Sequence, residues 1–93
     1  MEKKIVVRSP LRVGNKVLIR TVTNYVVGKI ALVTKDEIVL TEASWIADTG
    51  RFHDALKNGT LNEIEPYIGP VAIGRGAIVD ACNWDHPLPV AQK

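Results

Sequence analysis

Three β-branched segments that follow one another with short connections constrain the fold more than any other feature of the sequence. They span residues 17–23, 25–33 and 38–41, and each is rich in valine, isoleucine or threonine. Connections this short join antiparallel neighbours, because a parallel pair needs a crossover of about a dozen residues or more. The first half of the chain is therefore predicted to form an antiparallel three-stranded meander.

A different pattern in the second half of the sequence predicts one short helix. Asp48 or Thr49 is expected to cap its start, and Gly59, which follows Asn58, to end it. The apolar residues that share one helix face are Phe52, Ala55 and Leu56. We expect that face to pack on the sheet.

Two further extended segments follow the helix. Residues 61–65 alternate apolar and polar side chains but end at Pro66, which limits them to an edge strand or a loop. Residues 71–81 are predicted to form a final apolar strand, in which Gly74 and Gly76 indicate a bulge or a barrel corner. The predicted fold class is mainly β: a small twisted antiparallel barrel or sheet with one short inserted helix.

Length and composition predict a single domain over residues 1–93. Residues 1–12 are expected to form an N-terminal arm or strand. Residues 84–93 are expected to run as an extended tail, because Pro87 and Pro89 cannot continue a strand ladder. A domain of this size buries only about two-thirds of its unfolded surface, which leaves a thin stability margin, so we expect it to associate as a homo-oligomer.

The same composition predicts a soluble cytoplasmic protein. Hydrophobic residues make up 46% and charged residues 24% of the chain, the balance of a folded globular protein. No apolar run reaches the ~18 residues that a membrane span needs. Cys82 is the single cysteine, which fits a reducing compartment.

Charge is distributed unevenly along the chain. Residues 1–35 carry eight lysines or arginines against one acid, whereas residues 36–93 carry four against nine. Such asymmetry can create a basic face that attracts phosphates. It can equally pair the two halves within one barrel or join neighbouring subunits head to tail.

The sequence contains no motif for catalysis or metal binding. His53 and His86 are the two histidines, and no C-x-x-C or H-E-x-x-H pattern is present. Cys82 and His86 are four residues apart, but the segment before Pro87 is a poor helix. We therefore predict a protein that is not an enzyme and that needs no metal or cofactor.

A small set of residues is suited to binding an anionic, aromatic ligand. Arg75 lies in an apolar segment, where a guanidinium needs a carboxylate, a subunit interface or a ligand anion as counter-ion. Trp45 or Trp84 can offer a stacking face for a base. The residues predicted to bind the ligand are Arg20, Trp45, Arg51, Asn62, Arg75 and Gly76.

The order of these features resembles the Sm-like barrel family. The matching features are the strand at residues 17–20, Gly28 within the next strand, Asp36 at the following turn and Leu40 in the third strand. The segment 71–79, with Arg-Gly between two apolar stretches, is similar to the second Sm signature. This resemblance implies a small Sm-like or SH3-like barrel that binds single-stranded RNA.

A second resemblance covers residues 19–82, whose layout is similar to a group of small phage proteins. The segments that carry it are 19–22, 27–30, 38–43, 45–46, 55–59 and 77–82. The layout is also loosely similar to phage anti-defence proteins that oligomerise and sequester nucleotide immune signals. The resemblance implies a binding protein of the host cytoplasm without enzymatic activity.

Three functions are thus open at the level of the sequence. The first is a phage-type oligomeric protein that sequesters a nucleotide or cyclic oligonucleotide, with arginines on the phosphates and Trp45 on a base. The second is an Sm-like RNA-binding protein. The third is a structural or protein-interaction module without a small ligand.

Overall fold

The structure is a computed structural model that describes residues 7–93. One antiparallel sheet of six strands forms most of it. The strands are β1 (Lys16–Thr21), β2 (Tyr25–Val33), β3 (Glu37–Asp48), β4 (Glu63–Pro66), β5 (Val71–Gly74) and β6 (Ile78–Asn83). The α-helix α1 (Phe52–Asn58) follows β3, and a 3₁₀ turn (Arg75–Ala77) separates β5 from β6. The predicted fold class, mainly β with one short inserted helix, is confirmed.

The sheet is built around β3, the longest strand. The strand order is β4-β3-β2-β1-β6, and β5 also pairs with β3. The first residues of β3 pair with β5, and its last residues pair with β4. Between these two parts, Glu42 adopts a φ of 51°, and two residues of β3 face one residue of β2. The resulting bulge lets one strand belong to both halves of a bent sheet.

Gly28 makes this bend sterically feasible. It lies on β2 opposite the β3 bulge. A Cβ at Gly28 would lie 3.1 Å from the Ala43 Cβ and 3.2 Å from the Leu40 Cβ. The mid-strand glycine noted in the sequence is therefore a point of close contact between β2 and β3.

Two apolar clusters pack on opposite faces of the bent sheet. Alternating residues of β1 separate them, since Val17 and Ile19 join one cluster and Leu18 joins the other. The first cluster comprises Val17, Ile19, Val26, Ile30, Ile38, Leu40, Ala43 and Ile73. The second comprises Leu18, Val27, Ile46, Ala55, Leu61, Ile64 and Trp84. Because both faces are covered, the three consecutive residues Val17, Leu18 and Ile19 of β1 are all apolar and buried.

The helix lies where it is predicted, but its start is formed differently. Gly59 ends it at a φ of 72°, as expected, and its N–H donates to the Ala55 carbonyl. Arg51 occupies the position before the first helical residue, and no side chain caps that end. The predicted caps instead act within the preceding turn, where Asp48 Oδ1 accepts a hydrogen bond of 2.8 Å from the Gly50 N–H. The capping prediction was therefore wrong.

The prediction of one final strand over residues 71–81 was also wrong. The 3₁₀ turn breaks this segment into β5, which pairs with β3, and β6, which pairs with β1. These partners lie on different sides of the sheet, so the chain has to turn between them. Gly74 and Gly76 flank Arg75 there, and neither would bring a Cβ within 4 Å of another atom. Arg75 consequently lies on a turn and does not interrupt a strand.

Residues 84–93 contain no helix or strand, but they pack against the domain and do not project from it as an arm. Trp84 is 1% exposed, and its backbone N–H donates to the Lys16 carbonyl. Lys93 and Ile64 exchange two backbone hydrogen bonds of 2.9 Å, so the end of the tail pairs with β4. The suggestion that Trp84 offers a free stacking face was therefore wrong.

Two predictions about the chain termini and membranes remain. Of the predicted N-terminal arm, residues 1–6 lie outside the described residues, and residues 7–12 form neither helix nor strand. Leu11 packs against the first apolar cluster. Among the described residues, no helix has the length and apolar character needed to cross a membrane.

Candidate ligand-binding site

Two of the predicted binding residues, Arg20 and Trp45, line one cleft at the end of the β1–β2 hairpin. The cleft has a volume of about 380 Å³ and includes the hairpin turn, residues 21–24, together with Tyr25 and Val79. This volume falls in the range of small-molecule sites, ~300–1,000 Å³. We refer to this cavity as the Trp45 cleft.

Arg20 enters the Trp45 cleft already paired with a carboxylate. It lies opposite Asp80 in the β1–β6 register, and its Nη2 and Nε atoms lie 2.5 Å and 3.1 Å from Asp80 Oδ2. The hydrogen bond and charge of Asp80 raise the pKa of the Arg20 guanidinium above its usual value. Both side chains are about half exposed, so solvent screens the pair. The remaining N–H donors of Arg20 are available to a ligand.

The hairpin turn orients the side chain of Asn24. The hydroxyls of Thr21 and Thr23 lie 2.8 Å and 2.9 Å from Asn24 Oδ1 and donate to it. The backbone N–H of Asn24 donates to Thr21 Oγ1. Because two hydroxyls occupy the carbonyl side of the amide, the Nδ2 group is left to donate elsewhere. The turn thus presents a pre-oriented amide donor at the edge of the cleft.

Trp45 offers an accessible aromatic face beside this amide. It lies on β3, between Val26 of β2 and Glu65 of β4, and 41% of its surface is exposed. A second concavity of about 320 Å³ adjoins the ring and is lined by Thr23, Asn24, Trp45 and Tyr67. Tyr67 is also 41% exposed. Two accessible aromatic side chains therefore share the surface next to Asn24.

Arg51 and Asn62 lie around the turn that follows the C-terminal end of β3. Asn62 donates through its backbone N–H to the Asp48 carbonyl, and its side chain lies against Gly50. The Asn62 amide is thereby engaged in the turn that precedes α1. Arg51 is exposed in that turn. Neither residue lines the Trp45 cleft.

Arg75 and Gly76 occupy the 3₁₀ turn beside the opposite end of β3. The Arg75 Nη1 donates to the Thr34 carbonyl at 3.1 Å, and its backbone N–H donates to the Asp36 carbonyl at 3.0 Å. No carboxylate of residues 7–93 forms an ion pair with it, since Arg20–Asp80 is the one ion pair within that range. The predicted set is thus split among three places: the Trp45 cleft, the turn before α1 and the 3₁₀ turn.

His86 and Cys82 are surrounded by packed residues of the domain and do not line the Trp45 cleft. His86 Nε2 lies 2.7 Å from the Leu56 carbonyl at the end of α1, and the His86 ring packs edge-on against Trp84. Burial, followed by the charges of Asp80 and Asp85, raises the pKa of the Cys82 thiol. In the part of the chain that the structure describes, no three potential metal ligands cluster.

Sequence reasoning did not place Tyr67 in the site. Its place beside Trp45 depends on how β4 pairs with β3, and that pairing follows from the β3 bulge. No local pattern around Pro66 marks Tyr67 as a site residue.

Comparison of the chain with protein-family models, with curated proteins and with solved structures found no match.

Proposed function

We propose that this protein is a non-enzymatic binding protein that captures a nucleotide or cyclic oligonucleotide in the Trp45 cleft. The observation that carries the proposal is the accessible indole of Trp45 in one cleft with an arginine and an oriented amide. A base stacked on Trp45 gains about 1–3 kcal/mol. Asn24 Nδ2 supplies a donor for an acceptor atom on the base, and Arg20 supplies charge for a phosphate.

Asp80 sets the strength of the phosphate contact. The Arg20–Asp80 pair is exposed, and exposed pairs contribute little to stability. A phosphate can therefore share the Arg20 guanidinium with Asp80, or displace the Asp80 carboxylate from it, at small cost, although that carboxylate opposes a second negative charge nearby. The balance favours a ligand that places its phosphate on the free N–H groups of Arg20, away from Asp80.

The proposal includes assembly as a homo-oligomer. Arg51 and Arg75 do not line the Trp45 cleft, and we propose that they reach its ligand from other copies of the chain. Val22 and Val79 are exposed and line the Trp45 cleft, which suits burial against another copy. Ligand capture at subunit interfaces is the arrangement that uses all three arginines.

The biological role that we propose is sequestration of a nucleotide immune signal in the host cytoplasm, as a phage anti-defence protein. Sequestration works by affinity alone and needs no catalytic group. This proposed role rests on the layout of residues 19–82, which resembles that of small phage proteins.

Calorimetric titration tests the proposed function. The panel contains cyclic dinucleotides, cyclic trinucleotides and ADP-ribose isomers, and we expect sub-micromolar binding of at least one. Trp45→Ala should weaken that binding about 5- to 150-fold. Leu32→Ala is the matched control, because Leu32 is 48% exposed but lines neither the Trp45 cleft nor the concavity beside it. A flat response to the whole panel, or equal loss in both variants, would refute the proposal.

A second candidate function is binding of single-stranded RNA in the manner that the Sm resemblance implies. The observation that favours it is the pair of accessible rings, Trp45 and Tyr67, in adjoining concavities. Successive bases can stack on such rings. RNA binding predicts affinity for uridine- or adenine-rich strands that falls steeply as salt rises. Binding of a single cyclic dinucleotide without salt-sensitive RNA binding would favour the first function.

A further inference from the structure

A second cleft, distinct from the Trp45 cleft, lies around two lysines that face each other across β1 and β2. Lys16 and Lys29 are direct partners in the β1–β2 register. Both line a cavity of about 590 Å³, which we call the Lys16–Lys29 cleft. None of the residues predicted from the sequence to bind a ligand lies in it.

The lysine pair is electrostatically unfavourable in the absence of an anion. Like charges directly opposite each other on antiparallel strands destabilise the sheet. Lys16 is half-buried, and its Nζ donates to the His86 carbonyl at 2.7 Å. Neither lysine forms an ion pair with a carboxylate of residues 7–93. The His86 carbonyl accepts from Lys16 alone, so both ammonium groups keep donors for a ligand.

The other walls of this cleft are apolar. Tyr67 and Pro66 form one side, and the tail residues 88–90 form another. The tail is held there by the Lys16–His86 contact and by the packing of Leu88 on the second apolar cluster. The cleft thus combines a positively charged end with an apolar enclosure, the combination that fixes a small ligand in one orientation.

Glu42 is the one acidic residue that lines the cleft. It is the residue at a φ of 51° in the β3 bulge, a conformation unfavourable for a non-glycine side chain. The two lysines outnumber this carboxylate, so the cleft keeps a net positive charge. Glu42 is expected to reduce the affinity for a multiply charged anion.

We propose that the Lys16–Lys29 cleft binds a small organic anion, a phosphate or carboxylate group attached to an apolar body. The anionic group lies between the two ammonium groups, and the body lies between Tyr67 and the tail. Ammonium–anion hydrogen bonds are stronger than neutral ones, and the opposed lysines are relieved of their mutual repulsion. This proposal does not depend on the function of the Trp45 cleft.

Calorimetry with phenyl phosphate tests it, with inorganic phosphate and phenol as partial ligands. We expect saturable one-site binding of phenyl phosphate, at least about tenfold weaker binding of inorganic phosphate, and no binding of phenol, because both parts of the cleft contribute. Titration with phenylacetate, the anion of phenylacetic acid, distinguishes a carboxylate from a phosphate preference. Absence of saturation with both aromatic anions, or equal binding of inorganic phosphate, would overturn the proposal.

Lysine variants locate the site. Lys29→Gln should weaken phenyl phosphate binding about tenfold or more, and Lys29→Arg should retain most of it, because one charged contact is lost or kept. Lys35→Gln is the matched control, since Lys35 is an exposed lysine outside the cleft. An equal effect of the Lys29→Gln and Lys35→Gln substitutions would show a nonspecific charge effect and reject the site.

Lys29→Glu separates a binding role from a structural one. It replaces a like-charge pair by an opposite-charge pair with Lys16, so the denaturation midpoint should rise while phenyl phosphate binding is lost. Lys29 is exposed, so the substitution leaves the core intact. A lower midpoint would contradict the electrostatic argument, and retained binding would contradict the site.

Discussion

Substitution of Gly59 by alanine probes the contact that joins the end of α1 to the tail. Gly59 has a φ of 72°, and a Cβ there would lie 2.7 Å from His86 Cγ and 2.9 Å from His86 Cβ. Such distances are too short for carbon atoms, so His86 has to move. The movement pulls His86 Nε2 from the Leu56 carbonyl, which lies 2.7 Å away.

The expected cost follows from two contributions. A non-glycine residue in the left-handed region costs about 1 kcal/mol or more. Loss of the His86–Leu56 hydrogen bond costs about another 1 kcal/mol. Gly14→Ala is the matched control, because Gly14 has a φ of 87° but no atom within 4 Å of its would-be Cβ. Gly59→Ala should therefore lose about 2 kcal/mol and Gly14→Ala about 1 kcal/mol.

Urea denaturation followed by circular dichroism measures the difference. With a slope of about 1 kcal/mol per molar urea for a chain this small, the two midpoints should differ by about 1 M. Acrylamide quenching gives a second readout, since displacement of His86 should expose Trp84, which it contacts edge-on. Equal midpoints for the two variants, with Trp84 still protected, would refute the account of the tail contact.

Three further predictions follow from single residues. Ser44 is fully buried and its hydroxyl has no hydrogen-bond partner, so Ser44→Ala should raise the free energy of unfolding, measured by urea denaturation, by about 1 kcal/mol. A lower free energy of unfolding would contradict this prediction. Because burial raises the pKa of the Cys82 thiol, Ellman's reagent should react with it more slowly at pH 8 than with the thiol of the urea-unfolded chain. The thiol's contribution to the free energy of unfolding should be present below its unfolded pKa and should fall as the pH rises through its folded pKa. Equal reaction rates in the folded and unfolded chains would show that the thiol is not buried. Asp80→Asn should leave the melting temperature almost unchanged, because the ion pair with Arg20 is exposed. The same substitution should tighten nucleotide binding in calorimetry, because it removes the carboxylate that competes for Arg20. Weaker binding would exclude Arg20 as a phosphate contact.

Local sequence patterns predicted the elements whose boundaries depend on nearby residues. The predicted strand at residues 25–33 matches β2, and Gly59 ends α1 as expected, because strand alternation and a left-handed helix end are local properties. Arg20 and Trp45 were both assigned to a ligand site, and they line the same cleft.

The remaining features depend on contacts between distant residues. The predicted third strand, residues 38–41, stops where the pattern changes, yet β3 continues to Asp48 because the bulge at Glu42 allows a second pairing with β4. Trp84 is buried in a cluster with residues of β1, β2, β3, α1 and β4, all of which are distant from it in the sequence. The facing lysines of the second cleft follow from the hairpin register and not from any motif.

The central claim is that the Trp45 indole contacts a nucleotide, and the two tryptophans allow a direct measurement of it. In a ¹⁵N-labelled sample, Trp45 and Trp84 each give one indole N–H signal, and the Trp84 group donates internally to the Pro87 carbonyl. During a titration with the tightest-binding cyclic nucleotide, the account predicts a saturable shift of the Trp45 signal and a stationary Trp84 signal. A stationary Trp45 signal at saturating ligand would contradict it.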